Sequence, residues 1–89
     1  MVEGVILIVY GRVQGVGFRF YTHKTAMELG VKGFVQNRTD GSVYIEADAE
    51  ADILETFVHW CEKGPEWARV DKINKQFCNK FGYSNFEIR

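Results

Sequence analysis

The spacing of apolar and polar residues predicts a chain that alternates strands with helices. Val5 to Tyr10 is a continuous apolar run rich in branched residues, too short for a helix and typical of a central strand. Gly33 to Asn37 is a second short strand, and from Val43 onward apolar and polar residues alternate as in a half-buried strand. Asp40-Gly41 lies between these last two runs and is a strong hairpin signal.

Apolar residues at helical spacing predict two helices, from about Phe20 to Leu29 and from about Glu50 to Lys63. Each is followed by a natural stop, Gly30 after the first and Gly64-Pro65 after the second. Each predicted helix therefore ends just before a residue that terminates helices.

The C-terminal third predicts one long strand and one short one. Residues from about Ala68 to Cys78 have strand character, although the alternation slips between Val70 and Ile73. A bulge or an edge position would explain that slip. After a turn at Asn79 to Gly82, Phe86 to Ile88 is a short last strand.

The resulting order, βαββαβ with a small terminal addition, is typical of an α+β fold, the ferredoxin-like sandwich. In that fold two helices cover one face of an antiparallel sheet. Eighty-nine residues with 46% hydrophobic and 15% aromatic content predict a single packed domain, spanning residues 1–89.

Charge narrows the classes of partner. Eleven basic and twelve acidic side chains give a formal net charge of −1, which does not favour a nucleic-acid partner or a membrane surface. An anionic substrate must then be attracted by local groups. The chain has no signal-peptide pattern and no apolar run of membrane-spanning length, so a cytoplasmic protein is expected.

The cysteine and histidine content argues against a metal or a disulfide scaffold. Cys61 and Cys78 are too few for a disulfide framework and are expected to be inert core thiols. His59 and Cys61 lie two positions apart on a predicted helix, so they point about 200° apart and cannot share a metal. No metal and no cofactor is expected.

The candidate chemistry lies in the nine residues from Gly11 to Arg19, GRVQGVGFR, between the first strand and the first helix. The three glycines permit a tight curl, and successive N–H groups at a helix start form a cradle for an anion. Arg19 adds a planar guanidinium suited to phosphate. These residues predict a phosphate-type site. A plain strand-to-helix connection remains the alternative, because the stretch matches neither common nucleotide-binding loop.

Two motifs resemble the signatures of the acylphosphatase family. The first, Gly-x-Val-Gln-Gly-Val-x-Phe-Arg, is filled at every fixed position between Gly11 and Arg19. The second, Gly-aromatic-x-x-Asn-x-x-x-Gly-x-Val, is matched by Gly33, Phe34, Asn37, Gly41 and Val43. The likeness extends from about residue 5 to residue 89. One position departs, since Ala49 stands where the second motif usually closes with glycine.

The resemblance implies a sheet order of 4-1-3-2. In that order the first and second strands run parallel with the third between them, so their C-terminal ends meet at one rim of the sheet. Two strand spacings, about 10 Å, would then separate the glycine-rich stretch from Asn37. Both motifs are therefore expected at one site.

The resemblance also implies the reaction, hydrolysis of an acyl phosphate to a carboxylate and inorganic phosphate. Arg19 and Asn37 are the implied catalytic residues, Arg19 neutralising phosphoryl charge and Asn37 orienting the attacking water. Phosphate would be bound within the 13–19 stretch, by main-chain groups of Gln14, Gly15, Val16, Gly17, Phe18 and Arg19. Inorganic phosphate or sulfate is the expected product-like ligand, and a monomer is the expected state.

Three alternatives stand beside this interpretation. Asn37 would only cap the hairpin if its side chain bonded to the turn, a common use of Asn near Asp-Gly. A non-catalytic anion sensor would use the same cradle without activating water. An RNA-binding module shares the element order, but the third strand here, GSVYIE, lacks the expected basic and stacking aromatic residues.

Overall fold

The computed structural model describes all residues from 1 to 89. It contains five strands and two helices, and each begins within three residues of the start predicted for it. In chain order they are β1 (Val2–Arg12), α1 (Phe18–Leu29), β2 (Lys32–Asn37), β3 (Val43–Glu50), α2 (Ala51–Lys63), β4 (Arg69–Asn79) and β5 (Phe86–Ile88).

The sheet has the order β4-β1-β3-β2-β5. The implied 4-1-3-2 order and the antiparallel pairing of the four longer strands are confirmed. β5 pairs in parallel with β2 at the outer edge, so the complete sheet is mixed. Because β3 lies between β1 and β2, the C-terminal ends of those two strands share one rim.

Both helices pack on one face of this sheet and share one core with it. Alternate residues of β1 and β3 supply the sheet side of the core, including Val5, Leu7 and Ile45. Phe57 and Leu54 of α2 are fully buried against them. Burial of a side chain of this size contributes about 1.5–3 kcal/mol, so the shared core holds the helices on the sheet. Neither helix is long and apolar enough to cross a membrane.

The slip in alternation along β4 has both of its predicted causes. β4 is an edge strand, and the β1–β4 register shifts where Tyr10 pairs with Lys72 but Gly11 pairs with Val70. Asp71 is thus the extra residue of a bulge. Gly11 has a φ of 130°, and a Cβ there would lie 2.2 Å from the Arg69 carbonyl oxygen. Only glycine fits at this point, immediately before the candidate site.

The opposite face of the sheet is covered by the C-terminal segment, which a buried carboxylate fixes in place. Asp48 is only 4% exposed. Its two oxygens accept hydrogen bonds from the main-chain N–H groups of Phe81, Gly82 and Tyr83 at 2.8, 2.8 and 3.1 Å. We call this set of three bonds the Asp48 clasp. The alternating pattern of β3 predicts only that Asp48 faces away from the core.

A second carboxylate on that face binds two phenols. Glu46 accepts hydrogen bonds from the hydroxyl groups of Tyr44 at 2.6 Å and Tyr83 at 2.5 Å. Burial, the hydrogen bond to Glu46 and the negative charge of Glu46 raise the pKa of each tyrosine to about 12. Both phenols therefore stay protonated well above neutral pH.

The two cysteines occupy different environments. Cys61 is fully buried in the core as predicted, and burial raises the pKa of its thiol. Cys78 is half-buried and stands outside the core, on the face that the C-terminal segment covers. Its pKa is also raised, by burial and then by the charges of Asp48 and Glu46. Neither thiol is activated for nucleophilic chemistry.

Ala49 does not occupy a position that needs glycine. It pairs with Glu3 inside β3 and is 7% exposed in the core. No residue other than glycine has a positive φ anywhere in the chain. Ala49 therefore fits the local backbone without distortion, because β3 continues as regular strand to Glu50.

Candidate active site

The glycine loop, residues 13–19, leaves β1 just after the Gly11 bulge and runs into α1. Gly15 and Gly17 have φ values of 74° and 81°, in the left-handed region that favours glycine. Helix α1 begins at Phe18, two residues earlier than the periodicity predicts. Phe18 and Arg19 therefore belong to the first helical turn, where N–H groups have no acceptor within the helix.

The main-chain N–H groups of this loop have no hydrogen-bond partner in the protein. None from Gln14 to Gly17 donates a hydrogen bond, and the first main-chain bond is donated by Tyr21 to the Gly17 carbonyl at 3.0 Å. Phe18, Arg19 and Phe20 precede that bond and lie at the positive end of the helix dipole. A continuous run of unpaired donors at a helix start is suited to an anion.

Arg19 and Asn37 line one cavity beside this loop. The cavity has a volume of about 240 Å³, and besides these two residues it is lined by Val13, Gly15, Gly17, Phe18, Phe20 and Ile88. We call it the loop cavity. A water molecule occupies about 30 Å³ in the liquid, so the loop cavity has room for a phosphoryl group with a water beside it. The topology thus brings both motifs together, as expected.

Arg19 is held in place by the last residue of the chain. Its Nη1 donates a hydrogen bond to the main-chain oxygen of Arg89 at 3.0 Å. Arg89 is in turn anchored, since its N–H donates to the Val35 carbonyl at 2.8 Å and its guanidinium lies 4.1 Å from the Phe34 ring centre. The sequence gives no signal for this contact, because the two residues are 70 positions apart.

Asn37 ends β2 on the side of the sheet that α1 covers, the same side as Val35. Its Oδ1 is buried and has no hydrogen-bond partner. The hairpin is capped instead by Asp40, whose Oδ1 accepts from the Ser42 N–H at 2.9 Å and from Ser42 Oγ at 2.5 Å. Those two bonds lower the pKa of Asp40. The alternative that Asn37 merely caps the hairpin is therefore wrong.

Gln14 ties the glycine loop to the β2–β3 hairpin through its side chain. Its Nε2 donates to the carbonyl oxygens of Arg38 and Ser42, both at 2.8 Å. The sequence predicts only a main-chain contribution from Gln14, and its side chain does not line the loop cavity. Because Asn37 immediately precedes Arg38, this contact fixes the loop relative to Asn37.

The side chains of Val16 and Phe18 face the core. Phe18 is 1% exposed, with its ring 5.9 Å from the Trp60 ring, and Val16 packs partly buried against the same cluster. The contribution predicted for these two residues is through their main-chain groups, although Val16 also lines a neighbouring cleft with Trp67. No group of three or more His, Cys, Asp or Glu side chains is placed to hold a metal ion.

Comparison with known proteins identifies the family. A family model described as acylphosphatase matches residues 5–88. The chain is 45% identical over 83 residues to an acylphosphatase of Pasteurella multocida, covering 92% of each chain. It is 38% identical over 84 residues to that of Thermus thermophilus, covering 94% of this chain and 96% of the relative.

A solved structure agrees with this result. The crystal structure of acylphosphatase from Bacillus subtilis superimposes with a TM-score of 0.94 at 34% identity, covering 100% of this chain and 99% of that one. The fold and the sequence likeness together define a small α+β hydrolase of the ferredoxin-like type. The chain belongs to the acylphosphatase family, and its activity is the hydrolysis of acyl phosphates. The sensor and RNA-binding alternatives are therefore wrong.

Proposed function

We propose that the N–H groups of the glycine loop, Arg19 and Asn37 carry out this hydrolysis. The observation that supports the proposal is the loop cavity, in which Arg19 and Asn37 meet beside a run of unpaired N–H donors. All three components come from one chain, so the proposed catalytic unit is a monomer.

The glycine loop and Arg19 bind the phosphoryl group. The N–H groups from Gln14 to Arg19 donate to its oxygens, and the guanidinium neutralises part of its charge. Hydrogen bonds to a charged group contribute about 1.5–3 kcal/mol each. Arg19 is the only charged side chain that lines the loop cavity, so it is the principal attraction for an anion. Inorganic phosphate and sulfate are expected to bind in the same place.

The reaction breaks the bond between phosphorus and the bridging oxygen. Water oxygen attacks phosphorus, the electron pair of the broken bond leaves with the carboxylate, and both protons of the water end on inorganic phosphate. The transition state of phosphoryl transfer is loose, so positioning and electrostatics supply most of the catalysis. The bound donors meet both requirements without forming a covalent bond.

Asn37 orients the water. Its amide oxygen has no partner in the protein and can accept a hydrogen bond from the attacking molecule. A 180° turn about χ2 presents the amide nitrogen instead, so the group can also donate to the oxygen of the water. Holding one reactant in line with the scissile bond lowers the entropic cost of the attack.

No strong base is required in this scheme. No histidine, cysteine or carboxylate lines the loop cavity. A carboxylate is a good leaving group, and a phosphoryl oxygen of the substrate takes the proton that the water loses. The fully buried Cys61 and the half-buried Cys78 lie outside the cavity, so a phosphocysteine route has no nucleophile.

Metal-free hydrolysis of benzoyl phosphate tests the proposal. With a chelator present, the protein is expected to release benzoate and phosphate and to leave a phosphomonoester intact under the same conditions. The ester is the control, because its alkoxide leaving group needs an acid that the cavity lacks. Equal turnover of both compounds, or activity only after a divalent metal is added, would contradict the mechanism.

A further inference from the structure

Two exposed apolar side chains flank the contact that positions Arg19. Phe20 follows Arg19 in the first turn of α1, and Ile88 precedes Arg89 in β5. Both line the loop cavity. Phe20 is 57% exposed and Ile88 is 45% exposed. We call this pair of side chains the apolar wall.

The folding of the chain does not account for these two residues. Neither is among the buried residues of the hydrophobic core or the partly buried residues that pack against it. The Phe20 ring has the Tyr21 ring as an edge-on neighbour, with centroids 5.1 Å apart and planes at 85°. Aromatic pairs favour this geometry, so it gives Phe20 a preferred orientation although the residue is largely exposed. An apolar surface kept exposed beside a ligand cavity indicates a binding role.

The chemistry of the substrate places its acyl group beside that wall. In an acyl phosphate the carbonyl carbon is two bonds from phosphorus, so a phosphoryl group held by the glycine loop brings the acyl group to the cavity lining. We infer that Phe20 and Ile88 form the subsite for the acyl group and select substrates whose acyl group is apolar, aryl or alkyl. This inference rests on the proposed phosphate position in the glycine loop.

The charges at the site favour the same class of substrate. Arg19 is already used for the phosphoryl group, and no other charged side chain lines the loop cavity. A carboxylate or ammonium group on the acyl chain would therefore be desolvated against Phe20 and Ile88 without a partner. An uncharged aromatic acyl group would instead bury its own apolar surface and that of the apolar wall together.

A neighbouring cleft provides the matched control. It is lined by Arg12, Gly15, Val16 and Trp67, so it shares only Gly15 with the loop cavity. Trp67 is 72% exposed and offers a larger aromatic surface than Phe20. Trp67 does not line the loop cavity, whereas Arg19 and Asn37 do. From the glycine loop, the acyl group can extend toward the apolar wall or into this neighbouring cleft. Comparing variants of Phe20 and Trp67 distinguishes the two directions.

The experiment measures KM and kcat for benzoyl phosphate and acetyl phosphate in the wild type and in the variants Phe20→Ala, Ile88→Ala and Trp67→Ala. Phe20→Ala is expected to raise the ratio of the benzoyl to the acetyl KM about tenfold, the size of one aromatic contact. Ile88→Ala should raise it several-fold, since its side chain is smaller. Trp67→Ala should leave the ratio within about twofold.

Competition by inorganic phosphate separates a lost subsite from a disturbed Arg19. Phosphate has no acyl group, so its inhibition constant should stay within about twofold in Phe20→Ala. A KM that rises equally for both substrates, or a ratio that changes in Trp67→Ala but not in Phe20→Ala, would overturn the subsite. If the wild type hydrolysed neither substrate, the proposed function itself would fail.

Discussion

Arg19 uses one N–H group within the protein, and its other N–H groups remain for the proposed phosphoryl ligand. A guanidinium carries five N–H donors, and the bond to the Arg89 oxygen occupies one of them. The remaining four belong to a group that is already fixed in space, so binding of phosphate at the proposed site would cost little side-chain entropy. Asn37 differs from Arg19 in that no hydrogen bond within the protein holds its amide oxygen, which needs a ligand or a water as its partner.

Replacing Arg19 should therefore stop the reaction. We expect Arg19→Ala to abolish measurable hydrolysis of benzoyl phosphate, and Arg19→Lys to restore little of it. A lysine ammonium is a point charge that cannot span two phosphoryl oxygens in the planar geometry of a guanidinium. Steady-state rates give the result, with Arg12→Ala as the control, since Arg12 lines the neighbouring cleft and not the loop cavity. Near-normal turnover by Arg19→Ala would refute its assigned role.

Replacing Asn37 should affect kcat far more than KM. We expect Asn37→Ala to lower kcat by about 10²-fold or more, the usual effect of losing one oriented polar group, while KM changes by only a few-fold. Asp40→Ala serves as the control, because it removes the side chain that caps the same hairpin. A kcat in Asn37→Ala no lower than that of the control would show that Asn37 does not position the water.

At the scale of the elements, three contacts fix the site. Gln14 joins the glycine loop to the β2–β3 hairpin. The Asp48 clasp holds the segment that leads into β5, and β5 places Arg89 beside Arg19. Each contact links parts of the chain that are distant in sequence, so the cavity depends on the complete sheet.

Weakening the Asp48 clasp should destabilise the protein. Asp48→Asn keeps the shape of the side chain but removes its charge and directs an amide N–H toward main-chain donors. We expect the free energy of unfolding in urea to fall by about 2–3 kcal/mol, the size of one or two charge-assisted hydrogen bonds. Asp71→Asn, whose partner Arg69 is on the surface, should cost about 1 kcal/mol or less. If the free energy of unfolding fell equally in Asp48→Asn and Asp71→Asn, the clasp would contribute no more to stability than a surface ion pair.

The elements were more predictable than the contacts between them. The apolar run of β1, the Asp40-Gly41 turn and the stop at Gly64-Pro65 are local signals, and they locate the strands and helices to within a few residues. The start of α1 was missed by two residues, because Gly17 begins the helix by its backbone angle and not by a capping side chain. The bonds of Gln14, Asp48 and Arg89 join distant residues, so only the folded topology reveals them.

At the scale of the whole molecule, the two faces of the sheet have different roles. One face holds the helices, the core and the loop cavity, whereas the other carries Glu46 between Tyr44 and Tyr83 and the C-terminal segment above them. The raised pKa of both tyrosines makes this second face sensitive to alkali.

Stability should therefore decline at high pH. An ordinary tyrosine has a pKa of about 10, whereas Tyr44 and Tyr83 titrate at about 12 in the folded protein. Between these values the unfolded chain has lost protons that the folded chain still holds, so the free energy of unfolding decreases as pH rises from about 10 to about 12. Below pH 10 this contribution is fully present. Urea unfolding across that range measures the decline.

The matched variant for this measurement is Tyr44→Phe combined with Tyr83→Phe. It should be less stable at neutral pH, because Glu46 loses both hydrogen bonds, but its stability should fall less steeply between pH 10 and pH 12. Tyr10 and Tyr21 remain in both proteins and provide a common background. An identical slope in the variant and the wild type would assign the alkaline transition to other groups.

In the proposed mechanism, the unpaired N–H groups of the glycine loop make the main chain, and not only the side chains, part of the catalyst. Every substitution except one to proline, which has no N–H, leaves such a donor on the chain, and the donor is then lost to the site only if the chain changes direction. Gly15 illustrates this, since a Cβ there would have no heavy atom within 4 Å, yet its φ of 74° strains any other residue. Selection at Gly15 therefore acts on the main-chain conformation. A variant at this position can lose affinity for substrate although Arg19 and Asn37 are still present.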